Sequence, residues 1–263
     1  MTPLLSAKHL SMQFGGLRAV HDFNIDLAVG ELVGLIGPNG AGKTTVFNML
    51  TGVYEPTEGT IELDNRKGGV DVISGLQPHK ITRKGLARTF QNIRLFKSMT
   101  VWENVAVARH FLVPYNLPQA LLRLPPFGKA EADIRREIQD LLTIFKIDGK
   151  ADWRAANLPY GEQRKLEIVR ALASKPSVLL LDEPAAGMNP QETLELMDLI
   201  RFVKDQYKLT VLLIEHDMNL VMGICERLVV LDYGRTIAAG LPAAIRANPV
   251  VIKAYLGEDA VDA

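Results

Sequence analysis

Apolar and polar positions change their spacing several times along the chain, and each change predicts an element. Residues 4–9 and 20–27 have alternating character and are predicted as two edge strands joined across Gly15-Gly16. Residues 31–36 form a short apolar run that ends in Gly37-Pro38-Asn39-Gly40-Ala41-Gly42. Residues 43–50 follow with helical spacing, so this part reads as strand, glycine loop, helix. The mixed polar stretch 65–77 reads as a loop insertion, and 88–91 as another short strand.

From about residue 100 to 157 the texture changes. Ile134, Ile138, Leu141, Leu142 and Phe145 recur at helical spacing with charges between them, which predicts a helix over 130–145. A proline-rich piece, 114–126, separates it from an earlier helix, and the whole region is expected to be a helical subdomain inserted in an α/β core. After Glu162 strand and helix alternate again. Residues 178–181 and 210–214 are continuous apolar runs of the kind that parallel sheets bury on both faces. Residues 227–231 and 236–239 flank Asp232-Tyr233-Gly234-Arg235, a predicted hairpin. The small, acidic tail 257–263 is expected to fray. No internal repeat is present.

Composition narrows the class. The 263 residues carry 30 Lys+Arg against 30 Asp+Glu, so nothing draws the chain as a whole to nucleic acid or to an anionic bilayer, and no nucleic-acid partner is expected. At 48% hydrophobic and 23% charged, it can bury a large core and is not a disordered protein. The lone cysteine, Cys225, excludes an internal disulfide and a cysteine-rich zinc site, and suits a reducing cytoplasm. No apolar run reaches the roughly 18–20 residues that a spanning helix needs, and residues 1–5 lack the pattern of a secretory signal. The expectation is a soluble chain that meets a membrane only through a partner.

Candidate chemistry begins at Gly37-x-x-x-x-Gly42-Lys43-Thr44, which fits the phosphate-binding P-loop. Its glycines let successive N–H groups point at phosphate oxygens, and the following helix N-terminus adds a favourable dipole. Lys43 would reach the β- and γ-phosphates and the Thr44 hydroxyl would help hold Mg²⁺. Chance gives such a match in about one chain in a hundred of this length, and here it falls between a strand and a helix, as the motif requires. Alone it fits a GTPase, a kinase or a transport motor. The run 178–181 delivers Asp182 and Glu183 at its carboxyl end, the edge where open α/β sheets bind ligands. Asp182 would orient Mg²⁺, and Glu183 would take a proton from the attacking water. Residues 210–214 end in Glu215-His216, which puts a histidine within reach of a γ-phosphate. His9, His21, His79 and His110 have no such context and read as surface or packing residues.

At these residues the chain resembles the ATP-binding subunit of an ATP-binding cassette (ABC) transporter. The resemblance rests on 37–45, on Gln91 in Thr89-Phe90-Gln91, on Leu158-Pro159-Tyr160-Gly161-Glu162-Gln163-Arg164, on Asp182-Glu183-Pro184 and on His216, in the family's order. It implies an α/β fold: a P-loop (RecA-like) ATPase core with an antiparallel β subdomain and an inserted helical subdomain. The division implied is 1–91 and 162–240 for the core, 92–161 for the helical subdomain and 241–263 for a C-terminal extension. It also implies that Phe14 stacks on adenine, that Gly37, Pro38, Asn39, Gly40, Ala41, Gly42, Lys43, Thr44 and Thr45 cradle ATP, and that Gln91 contacts Mg²⁺ or the attacking water. Glu183 would be the general base, with His216 sensing the γ-phosphate.

Two departures from the family pattern stand out. The signature usually reads Leu-Ser-Gly-Gly-Gln, and here Pro159 and Tyr160 replace its serine and first glycine. Tyr160, Gly161 and Glu162 would then cap the opposite subunit's nucleotide through backbone donors, Gly161 preceding a helix N-terminus. The loop after the two acids carries Asn189 where the family often has aspartate. Segments 14–20, 87–91, 182–187 and 248–257 are similar to the branched-chain amino-acid uptake group.

Membership implies two ATPase subunits sandwiching two ATP, the second a paralogue or a second copy. It further implies two transmembrane permease subunits, a periplasmic substrate-binding protein acting indirectly, and a peripheral place on the cytoplasmic face of the inner membrane. Ile93, Leu95, Phe96, Met99, Val101 and Trp102 are candidates for a groove that receives a permease helix, or for core packing. A urea or amide importer, a lipopolysaccharide exporter, a non-transport cassette ATPase and a metabolic kinase remain as alternatives.

Overall fold

A computed structural model of the protein describes residues 3–65 and 68–256, so the expected fraying at 257–263 lies outside the described residues. The chain opens with β1 (Leu5–Phe14) and β2 (Leu17–Leu27), then β3 (Leu32–Ile36) and α1 (Lys43–Leu50). It continues through β4 (Glu58–Asp64), β5 (Val70–Val72), α2 (Pro78–Arg83) and β6 (Leu86–Arg88). Four helices follow: α3 (Val101–Arg109), α4 (Leu117–Leu121), α5 (Phe127–Ile144) and α6 (Tyr160–Ala173). Alternation then resumes with β7 (Val178–Asp182), α7 (Pro190–Tyr207), β8 (Thr210–Ile214) and α8 (Met218–Ile224). The chain ends in β9 (Arg227–Asp232), β10 (Arg235–Gly240), α9 (Pro242–Arg246) and α10 (Pro249–Leu256).

Two sheets form. The first is antiparallel in the order β2-β1-β4-β5. The first predicted strand is therefore interior, not an edge, because β4 pairs with its free side, and both hairpin strands run longer than the alternation suggests. Register shifts along β1, near His9 with its φ of 55°, break the period that would have marked its full length. The loop predicted at 65–77 contains β5, three residues too short to show a period. The strand predicted at 88–91 stops at Arg88, and Gln91 lies in a loop beyond it.

The second sheet has the order β10-β9-β3-β8-β7-β6, parallel except for the β9–β10 hairpin. That hairpin turns at Tyr233 and Gly234, both at positive φ (42° and 76°), the pattern a tight twisted turn needs. Strands β3, β7 and β8 are buried at every position, as parallel strands covered on both faces must be. Alternate residues of β7 serve opposite cores. Val178 and Leu180 join Leu4, Phe23, Phe47 and Leu212 between the sheets, and Leu179 and Leu181 join Ile138, Phe145, Leu166 and Ile200 beneath the helices. The helices between β6 and β7 thus share one core with the sheet. The carboxyl ends of β3, β7 and β8 come out side by side, and there the candidate residues gather.

Candidate active site

The loop between β3 and α1 is shaped by its glycines. Gly37 has φ 149°, and a Cβ there would lie 2.0 Å from the Leu231 carbonyl oxygen; Gly42 has φ 103°, with a Cβ 2.9 Å from that of Ala19. Neither position admits a side chain. Helix α1 starts at Lys43 with no side-chain cap, so its first N–H groups stay available to an anion. The Lys43 ammonium donates to the carbonyls of Gly37 (2.7 Å) and Pro38 (2.8 Å). Burial lowers its pKa, while the carboxylates of Glu183 and Asp182 pull the other way.

Glu183 leaves β7 in the left-handed region, at φ 47°, a conformation that costs a non-glycine residue about 1–3 kcal/mol. Its N–H donates to the Ile214 carbonyl at 2.9 Å, which fixes the turn against β8. The side chain is then held from both sides. Gln91 Nε2 donates to Oε2 at 2.8 Å, and His216 Nε2 lies 2.5 Å from Oε1. An ionised carboxylate only accepts, so opposite it Nε2 carries the hydrogen. Asn39 to Thr45, Gln91, Glu183 and His216 line one cleft of about 320 Å³ together with Ala19.

Asp182 sits deeper. Its Oδ2 accepts from Arg88 at 2.6 Å, both side chains being almost wholly buried. Arg88 also donates to Asn48 Oδ1 (2.7 Å) and Thr51 Oγ1 (3.2 Å), and lies over the rings of Phe47 and Phe90. The hard oxygens of Thr44, Gln91 and Asp182 suit Mg²⁺, which takes one or two protein ligands and otherwise phosphate and water. The described residues contain no cluster of three His, Cys, Asp or Glu able to hold a metal.

Other candidates stand apart from the cleft. Gly37 and Pro38 lie behind it as acceptors for Lys43. Phe14 is 41% exposed and meets Tyr54 edge to face, with centroids 5.3 Å apart. Helix α6 begins at Tyr160, so Gly161 is inside its first turn and does not precede it. The Tyr160 hydroxyl accepts from Arg164 at 2.8 Å, its ring lies against Gly187, and Glu162 pairs with Lys150 at 2.7 Å. Of the apolar group 93–102, Val101 is fully buried, and Leu95 and Trp102 pack on the helical core, while Phe96 is 46% exposed. His9 pairs with Asp22 on the exposed surface of the first sheet.

Three residues of this neighbourhood carried no sequence signal: Ala19, Tyr54, and Arg88 as partner of Asp182; Glu215 was visible only as the residue before His216. Glu215 is buried and accepts from the N–H groups of Ala185 (2.9 Å) and His216 (3.2 Å). Burial raises its pKa against the pull of those two bonds.

A mainly parallel sheet with a glycine loop after β3, two acids at the end of β7 and a histidine just past β8, the strand between them, defines a P-loop ATPase cassette. The ABC transporter family model matches residues 20–186, and a model described as branched-chain amino acid ATP-binding cassette transporter matches residues 235–261. The chain belongs to the ABC transporter family, as an ATP-binding, ATP-hydrolysing subunit. It is 49% identical over 256 residues to the high-affinity branched-chain amino acid transport ATP-binding protein LivG of Escherichia coli K12, covering 97% of this chain and 98% of that one. BraF of Pseudomonas aeruginosa, described in the same words, is 48% identical over the same shares. The lipopolysaccharide export system ATP-binding protein LptB of Escherichia coli K12 is 34% identical over 97% of this chain and 98% of its own. Among solved structures, the ADP conformation of an ATP-binding cassette of an ABC transporter superposes with TM-score 0.82 at 27% identity, covering 98% of this chain and all of the other. Membership implies permease partners in a membrane. No described helix of this chain is long and apolar enough to cross one.

Proposed function

We propose that this chain powers an importer of branched-chain amino acids from the cytoplasmic face of the inner membrane. It would pair with a second, paralogous ATPase subunit on two permease subunits, fed by a periplasmic binding protein. The cargo rests on the similarity to LivG and BraF over nearly the whole chain. We further assign 1–91 and 162–240 to the catalytic core, 92–161 to the helical subdomain and 241–263 to a C-terminal extension.

The chemistry rests on one observation: Glu183, held between Gln91 and His216, faces the cleft under the Lys43 loop. Glu183 takes a proton from water at its carboxylate, and its neighbours keep that carboxylate aimed. Lys43 and the loop N–H groups bind the phosphates, and His216 Nε2–H turns to the γ-phosphate. Bound Mg²⁺ would neutralise phosphate charge, held by Thr44 Oγ1 and Gln91 Oε1 and oriented through water by Asp182. Phe14 and Tyr54 offer an aromatic corner for adenine. Tyr160, Gly161 and Glu162 would cap the nucleotide of the second subunit, since the helical subdomain would keep this signature from folding back onto its own phosphate loop. Binding ATP more tightly in the closed pair than in the open one is what makes closure do work.

Reconstitution with the permease subunits and binding protein in proteoliposomes tests the cargo. ATP turnover is expected to rise with leucine-loaded binding protein and not with urea. Stimulation by urea, or by neither, would overturn the assignment.

A further inference from the structure

The roles above leave a buried carboxylate unused. Glu215 follows β8 directly, is 5% exposed, and accepts once across to the loop after β7 and once from the next residue of its own loop. Oε1 accepts from Ala185 N–H at 2.9 Å, in the loop that leaves β7 after Glu183. Oε2 accepts from His216 N–H at 3.2 Å, in the loop that leaves β8. One side chain therefore ties the two loops together where Glu183 and His216 meet.

We propose that Glu215 is a positioning residue for ATP hydrolysis: a buried latch from the loop after β8, where it also caps the His216 N–H, to the Ala185 backbone, which keeps Glu183 aimed into the cleft. The proposal rests on the reading of Glu183 as general base. Burying a carboxylate is costly unless its oxygens are satisfied, and burial pushes the Glu215 carboxyl above its ordinary range. An apolar residue would fill the space without that cost, but it could not accept from two N–H groups. Few side chains can. Glutamine has one acceptor oxygen and would turn its NH₂ towards the second N–H, donor against donor.

The turn held in this way is already strained, with Glu183 at φ 47°, and strain of that kind persists only where its surroundings over-determine it. The same loop continues to Gly187, where an added Cβ would lie 3.0 Å from the Tyr160 ring. The latch thus stands at one end of a loop whose other end touches the helix proposed to cap the partner's nucleotide.

Steady-state ATP turnover of the assembled transporter tests this, with Glu215→Ala, Glu215→Gln and Glu183→Gln measured in parallel. Glu215→Ala is expected to lower kcat by about 10–10²-fold, the effect of misplacing a reacting group by about an ångström. The KM for ATP should stay within about threefold, because the phosphate-binding loop is untouched. Glu215→Gln should fall between Glu215→Ala and wild type. Amide exchange across 184–188 should quicken in Glu215→Ala while β7 and β8 stay protected. A Glu215→Ala turnover within about threefold of wild type would overturn the latch. So would equal loss in both variants with protection lost throughout β7 and β8, since that marks a general role in folding. Glu183→Gln inactive with Glu215→Ala near wild type removes the latch alone. Glu183→Gln at wild-type turnover removes the base, and the latch's purpose with it.

Discussion

Arg88→Met removes one half of a deeply buried ion pair beside the cleft. The Arg88 side chain is 5% exposed and that of Asp182 3%, with 2.6 Å between Nη2 and Oδ2. Methionine keeps the apolar stem but falls short of the guanidinium and loses the charge. It also loses the bonds to Asn48 and Thr51 and the contacts over Phe47 and Phe90. Stranding one member of a buried pair costs about 3–5 kcal/mol. The bond to Asn48 adds about 1 kcal/mol, and thioether contacts with the two rings return about as much. The net expectation is about 3–5 kcal/mol, a large share of the roughly 5–15 kcal/mol that holds a domain together. Urea unfolding followed by circular dichroism measures it, run on Arg88→Met, Asp182→Asn and the double variant. The double variant should be milder than Arg88→Met, because no charge is left stranded. A loss under about 1 kcal/mol, or strict additivity of the two single losses, would show that the two charges do not depend on each other.

Two further outcomes follow from other sites. The Cys225 thiol, pushed up to about 12 from its ordinary 9.0 by burial first and then by Glu226, should react with a disulfide reagent about 10³-fold more slowly than a free thiol, from thiolate population alone. It should titrate fully once the protein is unfolded in urea; prompt reaction of the native protein would contradict its burial. Glu31 pays for its burial, but the Arg227 guanidinium and the Ala28 N–H more than offset that, so its folded pKa lies below the ordinary 4.5. The stability it contributes is therefore complete above 4.5 and lost as pH falls through the lower, folded value. Glu31→Gln should cost about 1.5–3 kcal/mol near neutral pH and flatten the acid limb of the stability–pH curve. An unchanged acid limb would contradict the assignment.

What the sequence showed and what it hid follow one physical line. The phosphate loop was legible because its constraints are local: Gly37 and Gly42 need backbone angles and clearances that only glycine tolerates. Strands β3, β7 and β8 were legible because burial on both faces leaves unbroken apolar runs ending in Asp182-Glu183 and Glu215-His216. Arg88 stayed hidden because its partners lie 40 and 94 residues away and nothing in its neighbours' spacing announces them. Tyr54 reaches Phe14 only once the first sheet has formed. The full length of β1 was masked by its register shifts, and α6 begins at Tyr160, directly after Pro159, earlier than the helix expected to follow Gly161.

Glu183 is the proposed proton acceptor in the cleft, and the other roles depend on it. Glu183→Gln keeps the size of the side chain and an oxygen for His216 Nε2–H, and Gln91 can rotate its amide to present its own oxygen, so the cleft should keep its shape. The direct measurement is ATP turnover beside ATP affinity by calorimetry on this variant in the assembled transporter. Turnover should fall by about 10²–10⁴-fold, the usual weight of a general base, with ATP affinity unchanged. Turnover near that of wild type would remove Glu183 from the role and contradict the mechanism.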